Sequence, residues 1–185
     1  MTAKFMLPFP DKQLTGHFGK IRTFKGAPSN PHRGTDWAGK EGTPIPAVAK
    51  GTIKLVKWSD ILGWVIVQTV MGNDKKVMYV GYCHLKNEPK LKVGDKVEMG
   101  DTVGLLGNSG SFSSGPHLHA TLSDSLKGVF AGNVYDLYKY LQDNIKNPPT
   151  SPTEPQKVAE PAKIEEKAPE TPNLCPTCGQ EVKNA

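Results

Sequence analysis

The feature that most constrains the fold is a β-branched run at residues 64–70, Trp-Val-Ile-Val-Gln-Thr-Val, with a second strand-like segment after it. Gly-Asn-Asp-Lys at residues 72–75 separates this run from residues 76–82, where the strand character returns. β-Branched residues favour strands, and glycine beside asparagine or aspartate favours the tight turn of a hairpin. The sequence therefore predicts a β-hairpin that contains a buried strand.

More short strands, separated by glycine turns, are predicted on both sides of this hairpin. Residues 44–57 are typical of two strands around a turn at Lys50-Gly51, and residues 93–97 and 101–107 supply others. Val134–Ile145 is the one segment with apolar residues at helical spacing. We therefore predict a mostly β fold, an antiparallel β-sheet with one C-terminal helix.

The composition changes after residue 147. Residues 148–172 hold seven of the 16 prolines, and such a segment buries too little apolar surface to offset the entropy of ordering it. We predict a folded domain at residues 1–147, a Pro/Glu/Lys-rich disordered linker at residues 148–172 and a short tail at residues 173–185. Cys175 and Cys178 resemble half of a four-ligand zinc site, so two tails could share one zinc ion in a dimer. A flexible remnant or an unpaired thiol pair is the alternative.

Four of the five histidines lie in three glycine-flanked clusters, one of which includes Asp36. His117 and His119 are two residues apart, and on a strand such residues point to the same face. A catalytic zinc ion uses three protein ligands and leaves a fourth position open. His32, Asp36 and one of the pair 117/119 would supply two nitrogens and one oxygen. The remaining histidines could accept a proton, stabilise an oxyanion or protonate a leaving amine.

The chain resembles the lysostaphin/LytM-type zinc peptidoglycan endopeptidases over about residues 14–123. Three motifs carry the resemblance: His32-x-Gly34-x-Asp36, Tyr82-x-His84-Leu85 and His117-Leu118-His119. The resemblance implies a LytM-like antiparallel sheet, related to the barrel-sandwich hybrid, with a substrate groove between loops. It also implies metal-activated hydrolysis of peptide bonds in the cross-links or stem peptides of peptidoglycan, with residues 1–147 as the catalytic domain.

The same resemblance assigns roles to single residues. It implies that His32, Asp36 and His119 bind Zn²⁺, and that His84 and His117 are the catalytic histidines. Tyr82 would line the groove or assist the oxyanion. In this family an aromatic residue and then a glutamate often follow the His-x-His pair, whereas Ala120 and Thr121 stand here.

Two other classes of protein compete with the enzyme. One is a non-catalytic cell-wall-binding or virion structural protein on the same fold. The other is a carrier module, because residues 93–101 resemble lipoyl and biotinyl domains, although no matching modified lysine is found. Bound zinc together with wall lysis would separate the enzyme from both classes.

Charge and terminal sequence limit the partners and the location. The net charge of +5 suits the anionic polymers of a cell wall. The lysines are scattered along the chain, which argues against nucleic-acid binding. The sequence contains no run of 18 apolar residues, so no membrane span is predicted. The N-terminus lacks the pattern of a signal peptide, so we expect a cytoplasmic protein that reaches the wall during phage lysis, or one carried in a virion.

Overall fold

The computed structural model describes residues 4–21 and 30–148. In these residues the chain forms nine β-strands, one α-helix and two single turns of 3₁₀ helix, Asp11–Gln13 and Lys127–Val129. The strands and the helix are β1 (Leu14–Gly16), β2 (Thr35–Ala38), β3 (Pro44–Pro46), β4 (Gly51–Ser59), β5 (Gly63–Met71), β6 (Val77–Leu85), β7 (Lys96–Val97), β8 (Thr102–Leu105), β9 (His117–Ser123) and α1 (Leu137–Lys146).

Seven of these strands form one antiparallel sheet in the order β1-β2-β9-β6-β5-β4-β7, and β3 pairs with β8 in a second, smaller sheet. The predicted hairpin is β5 and β6, which pair from Trp64–Leu85 to Met71–Val77. The prediction of a mostly β, antiparallel fold with one helix is confirmed. The predicted linker, the Cys175/Cys178 tail and its dimer lie outside the described residues.

The large sheet separates two apolar clusters. The larger cluster lies on one face, where Trp37, Ile66 and Leu118 pack with the residues of α1 and of the small sheet. On the other face Val65, Val67 and Cys83 pack against Val129 in a smaller cluster. Because the side chains of a strand alternate between faces, β5 and β6 contribute to both clusters. The site described below opens on the face of the smaller cluster.

The helix begins later than predicted, at Leu137 rather than Val134. Asp136 is the N-cap, and its carboxylate accepts a hydrogen bond from the backbone N–H of Lys139 at 2.9 Å. Tyr135 instead pairs with Leu122 of β9 as an isolated bridge. The cap and the bridge together fix the first residue of α1, and neither is visible in the apolar spacing.

In the described part of the chain, no helix has the length and apolar character that a membrane crossing needs.

Tyr82 does not line a groove, so this prediction is wrong. Its side chain is fully buried in the larger cluster, where the hydroxyl donates to Gln68 Oε1 at 2.8 Å and accepts from the Val48 N–H at 3.1 Å. Burial raises the pKa of the Tyr82 hydroxyl. The strand pairing explains the error: residues 82–85 of β6 face residues 64–66 of β5, so β6 carries one extra residue there. This bulge breaks the alternation that would put Tyr82 and His84 on the same face.

We expect the Tyr82→Phe variant to be destabilised by about 1–3 kcal/mol, because it leaves the Gln68 carbonyl and the Val48 N–H buried without this partner. Chemical denaturation would measure the loss. Tyr135→Phe is the matched control, since its hydroxyl bonds Asp124 at the surface and should matter little. Equal stability of Tyr82→Phe and the parent would contradict a structural role for this hydroxyl.

Candidate active site

The pairing of three neighbouring strands sets the floor of the site. Asp36 of β2 lies directly across from His119 of β9, and His119 lies directly across from Cys83 of β6. Residues opposite each other in antiparallel strands point to the same face. Asp36 and His119 therefore stand side by side on the face of the smaller cluster, and His32 reaches the same point from the turn before β2.

The side-chain atoms of these three residues converge. His119 Nδ1 lies 2.8 Å from Asp36 Oδ1, His32 Nε2 lies 3.1 Å from His119 Nδ1, and His32 Nε2 lies 3.2 Å from Asp36 Oδ1. All three residues are buried. Tetrahedral zinc with bonds of 2.0–2.1 Å requires ligand atoms about 3.3 Å apart. Two imidazole nitrogens and one carboxylate oxygen at these separations fit a zinc ion.

A hydrogen bond orients the ring of His32 for this purpose. Its Nδ1 lies 3.0 Å from the backbone carbonyl of His17, and a carbonyl only accepts, so Nδ1 carries the proton. The Nε2 lone pair is then directed at Asp36 and His119. This is the arrangement in which a second residue fixes the tautomer of a ligating histidine. His17 thus contributes its carbonyl to the site.

Two glycines make room for the ligands. A Cβ atom at Gly34 would lie 2.7 Å from the ring of His119, and one at Gly16 would lie 2.5 Å from Asp36 Oδ2. Both distances are shorter than real Cβ contacts, so a side chain at either position would displace a ligand. The glycines of the His32-x-Gly34-x-Asp36 motif and of β1 therefore belong to the site.

The electrostatics of the triad favour an ionised Asp36 and a neutral His119. Burial raises the pKa of Asp36, but the neighbouring rings of His119 and His32 outweigh burial and hold that pKa well below its ordinary value. Burial lowers the pKa of His119, and Asp36 only partly offsets this effect. An ionised carboxylate beside neutral imidazoles is the form in which these residues bind a metal.

His84 lies at the bulge of β6 and has a backbone φ of +59°, which residues other than glycine rarely adopt. Its Nδ1 donates to the Ser109 carbonyl at 2.7 Å, and the Ser109 hydroxyl in turn donates to the Leu85 carbonyl at 2.6 Å. Burial lowers the pKa of His84 to about 4, with the Ser109 hydrogen bond acting in the opposite direction. The backbone is thus strained at a residue that is firmly anchored.

His117 is anchored in the same way. Its Nδ1 donates to the Gly115 carbonyl at 2.8 Å. The rings of His84 and His117 lie with their centroids 4.8 Å apart, and the His84 ring also neighbours the His119 ring at 5.9 Å. With both Nδ1 atoms bonded to carbonyls, Nε2 is the nitrogen that each ring keeps for a reacting group.

Two cavities flank the histidines, and both are lined by His32 and Phe112. The larger, of about 640 Å³, is bordered by His17, Asp36 and His117, and the smaller, of about 320 Å³, by His84 and His119. The two cavities adjoin at these shared residues beside the candidate metal site, and we call them together the groove. A chain-like substrate can occupy such a groove on both sides of the reacting bond.

The structure brings five of the six predicted site residues together and leaves out Tyr82. It places His32, Asp36 and His119 within reach of one ion and His84 and His117 beside them, while their roles stay predictions. Sequence reasoning missed the carbonyls of His17, Ser109 and Gly115, because a backbone acceptor has no residue signature. It also missed Phe112, which lies at residues 108–114, a serine- and glycine-rich segment just before the His-x-His pair.

Two imidazoles and a carboxylate at the floor of an open groove, with further histidines beside them, are characteristic of a metal-dependent hydrolase. The sequence comparison agrees with this class: the model of peptidase family M23 matches residues 30–130. The chain belongs to this family, and the resemblance inferred from the motifs is confirmed.

Named relatives support the family assignment. An uncharacterized metalloprotease of Buchnera aphidicola is 43% identical over 118 residues, which are 64% of this chain and 30% of that protein. The peptidoglycan DD-endopeptidase ShyC of Vibrio cholerae is 34% identical over 88 residues, or 48% of this chain and 19% of ShyC. The chain thus spans less than a third of either relative.

A solved structure agrees on the fold. The catalytic domain of the antimicrobial peptidase lysostaphin from Staphylococcus simulans superposes with a TM-score of 0.58 at 29% identity. The match covers 70% of this chain and 91% of that domain. The predicted lysostaphin-like sheet is therefore confirmed over most of a catalytic domain.

We expect His119→Ala to lose bound zinc and His117→Ala to keep it, because only the former removes an atom of the converging triad. Metal analysis of the purified full-length variants after dialysis would measure both. His117→Ala is the matched control, since it removes the same ring two residues away on the same strand. The reverse result would show that the two histidines exchange roles.

We expect His84→Gly to be more stable than His84→Ala by about 1 kcal/mol, because glycine adopts the left-handed backbone of residue 84 without steric cost. Thermal or chemical unfolding of the two variants would measure the difference. The same pair of substitutions at His117, which lies in a regular strand, should favour alanine instead. A more stable alanine at position 84 would show that the bulge is not strained.

Proposed function

We propose that the chain is a zinc-dependent endopeptidase that hydrolyses peptide bonds in bacterial peptidoglycan. The observation that carries this proposal is the triangle of His32 Nε2, Asp36 Oδ1 and His119 Nδ1, with sides of 2.8–3.2 Å, at the floor of a groove. A zinc ion in such a site lowers the pKa of water and polarises the scissile carbonyl.

His84 and His117 would move the proton during the reaction. The Ser109 and Gly115 carbonyls hold the proton of each ring on Nδ1, so Nε2 is set to accept one from the attacking water. The same nitrogen can then return that proton to the leaving amine, which completes hydrolysis without a further acid. The two rings stand next to each other, and the ring that has accepted the proton can donate a hydrogen bond from Nε2 to the developing oxyanion.

The anchors determine how well these rings perform. A ring that must be ordered in each catalytic cycle loses much of the advantage of proximity, whereas a ring held at Nδ1 is already in place. For His84 the anchor extends further, because the Ser109 hydroxyl bonds Leu85 of the same strand. This second hydrogen bond ties the loop before β9 to the bulge of β6.

Peptidoglycan as the substrate is supported by the relatives and by the charge of the chain. ShyC is named as a peptidoglycan DD-endopeptidase and is similar to this chain over 88 residues. The net charge of +5 suits an anionic cell wall. An open groove on both sides of the histidines accommodates a cross-linked peptide better than a closed pocket would.

We expect His84→Ala and His117→Ala to keep zinc and to lower turnover by about 10²–10⁴-fold, the usual contribution of a general acid or base. Release of new amino termini from purified peptidoglycan would measure turnover, and metal analysis would run in parallel. Removal of zinc from the parent by a chelator should abolish turnover, and added zinc should restore it.

The same measurements test the competing class, a wall-binding or virion structural protein that keeps the fold without catalysis. Such a protein would bind walls and retain zinc, yet release no new amino termini. If the zinc-loaded parent gives this result, the enzymatic proposal is wrong. Mass spectrometry of the released fragments would identify the bond that is cut.

A further inference from the structure

One permanent charge lies in the wall of the smaller cavity, and it belongs to Arg33. This residue follows His32 directly, and its side chain is exposed. Among the described residues that line the cavity there is no carboxylate. None of the ion pairs within the described part of the chain includes Arg33. Its positive charge therefore has no counter-charge among these residues.

Two hydrogen bonds hold the guanidinium group in place. Nη2 of Arg33 donates to the carbonyls of Gly128 and Gly132, at 3.1 and 3.0 Å. Both carbonyls belong to the turn that follows β9. The Ser123 hydroxyl ties this turn to β9, because it donates to the Asn133 carbonyl at 2.8 Å. The guanidinium group is therefore positioned before a ligand arrives, which lowers the entropic cost of binding one.

These two hydrogen bonds leave part of the guanidinium group unused. Both of them come from Nη2, whereas the N–H groups of Nε and Nη1 have no partner among the described residues. A guanidinium group bonds a carboxylate more strongly than it bonds a neutral carbonyl. Two backbone carbonyls do not require a charged donor, so the fold of the turn alone does not account for an arginine at this position.

A second cation stands at the same wall. The Lys57 Nζ atom lies 4.1 Å from the centroid of the Phe130 ring, and Phe130 lines the cavity. Lys57 also takes part in no ion pair with another described residue. Two positive charges without counter-charges make the potential at this wall positive, and such a potential attracts an anion.

The cavity places this charge beside the reacting groups. His32, His84 and His119 line the same cavity as Arg33. A substrate group that contacts Arg33 therefore belongs to a residue close to the bond that these histidines address.

We propose that Arg33 binds a carboxylate of the substrate peptide close to the scissile bond, through the N–H groups of Nε and Nη1. The proposal rests on the proposed function and refines it. A carboxamide of the same shape is neutral and accepts a weaker hydrogen bond from a guanidinium group. Arg33 is then a specificity-determining residue, which favours a free carboxylate over its amidated counterpart.

Two matched sets of synthetic cross-link peptides test this proposal, each set with a carboxylate or its carboxamide on one side of the cleaved bond. The full-length zinc-loaded protein should have at least about 10-fold higher kcat/KM for the carboxylate peptide in one set, the scale of a hydrogen bond to a charged group. The carboxylate does not react, so the difference should lie in KM rather than in kcat. Equal kinetics for both peptides in both sets would overturn the proposal.

Arg33→Gln separates recognition of the carboxylate from support of the turn, because glutamine keeps an amide donor and loses the charge. Recognition predicts that this variant brings the ratio of the two peptides toward one, and that Arg33→Lys, which keeps the charge, retains part of the ratio. Lys127→Gln is the matched control. It removes the same charge from the same turn, but Lys127 does not line the cavity, so the ratio should persist.

Two outcomes of these variants would contradict the proposal. If Arg33→Gln lowers kcat/KM for both peptides by the same factor, the arginine only supports the turn. If Lys127→Gln reduces the ratio as much as Arg33→Gln does, the preference comes from the general charge of the surface.

A binding measurement separates failure of this proposal from failure of the proposed function. Calorimetry with zinc-loaded His84→Ala compares the affinities of the same peptides without turnover. If the parent cleaves neither peptide, the proposed function fails, and the affinity ratio alone then decides whether Arg33 selects a carboxylate. Tighter binding of the carboxylate peptide, lost when Arg33→Gln is added to His84→Ala, would support the proposal. Equal affinities in both sets would overturn it.

Discussion

The site depends on the position of β9 between β2 and β6. β9 pairs with β2 in a register that sets Asp36 opposite His119. This pairing alone brings the carboxylate and the imidazole together, without a contribution from any loop. A shift of one residue in this register would turn His119 toward the larger cluster and bring a leucine or an alanine to the floor of the groove. The burial of Leu118 and Ala120 on the other face therefore fixes the candidate metal ligands as firmly as it fixes the core.

The bulge at residues 83–84 has a comparable effect on β6. It lets Tyr82 complete a buried hydrogen-bond network with Gln68 while His84, two residues later, turns to the groove. A regular strand would send both side chains to one face, so either the core or the site would lose a residue. The left-handed backbone of His84 is the local cost of this arrangement, and the surrounding strand pairs hold it.

Much of the fold and of the candidate site can be predicted from the sequence. The features that cannot be predicted share a physical origin. β-Branched runs and glycine turns predict the strands, and the clustered histidines with Asp36 predict the chemistry. Tyr82 is misplaced because a bulge leaves no residue signature, and the start of α1 is misplaced because Asp136 overrides the apolar spacing. The carbonyls that anchor His32, His84 and His117 are equally invisible, since every residue carries one.

Those carbonyls also connect fold stability to chemistry. His17 lies in the segment before β2, Ser109 in the loop after β8, and Gly115 just before β9, and the carbonyl of each accepts a hydrogen bond from one Nδ1. Three loops thus define the tautomers of these three rings, which leaves Nε2 as the unprotonated nitrogen of each. The smaller cavity shares this dependence, because Phe112 of the Ser109 loop lines it. A change in that loop would therefore alter the wall of this cavity and the orientation of His84 together.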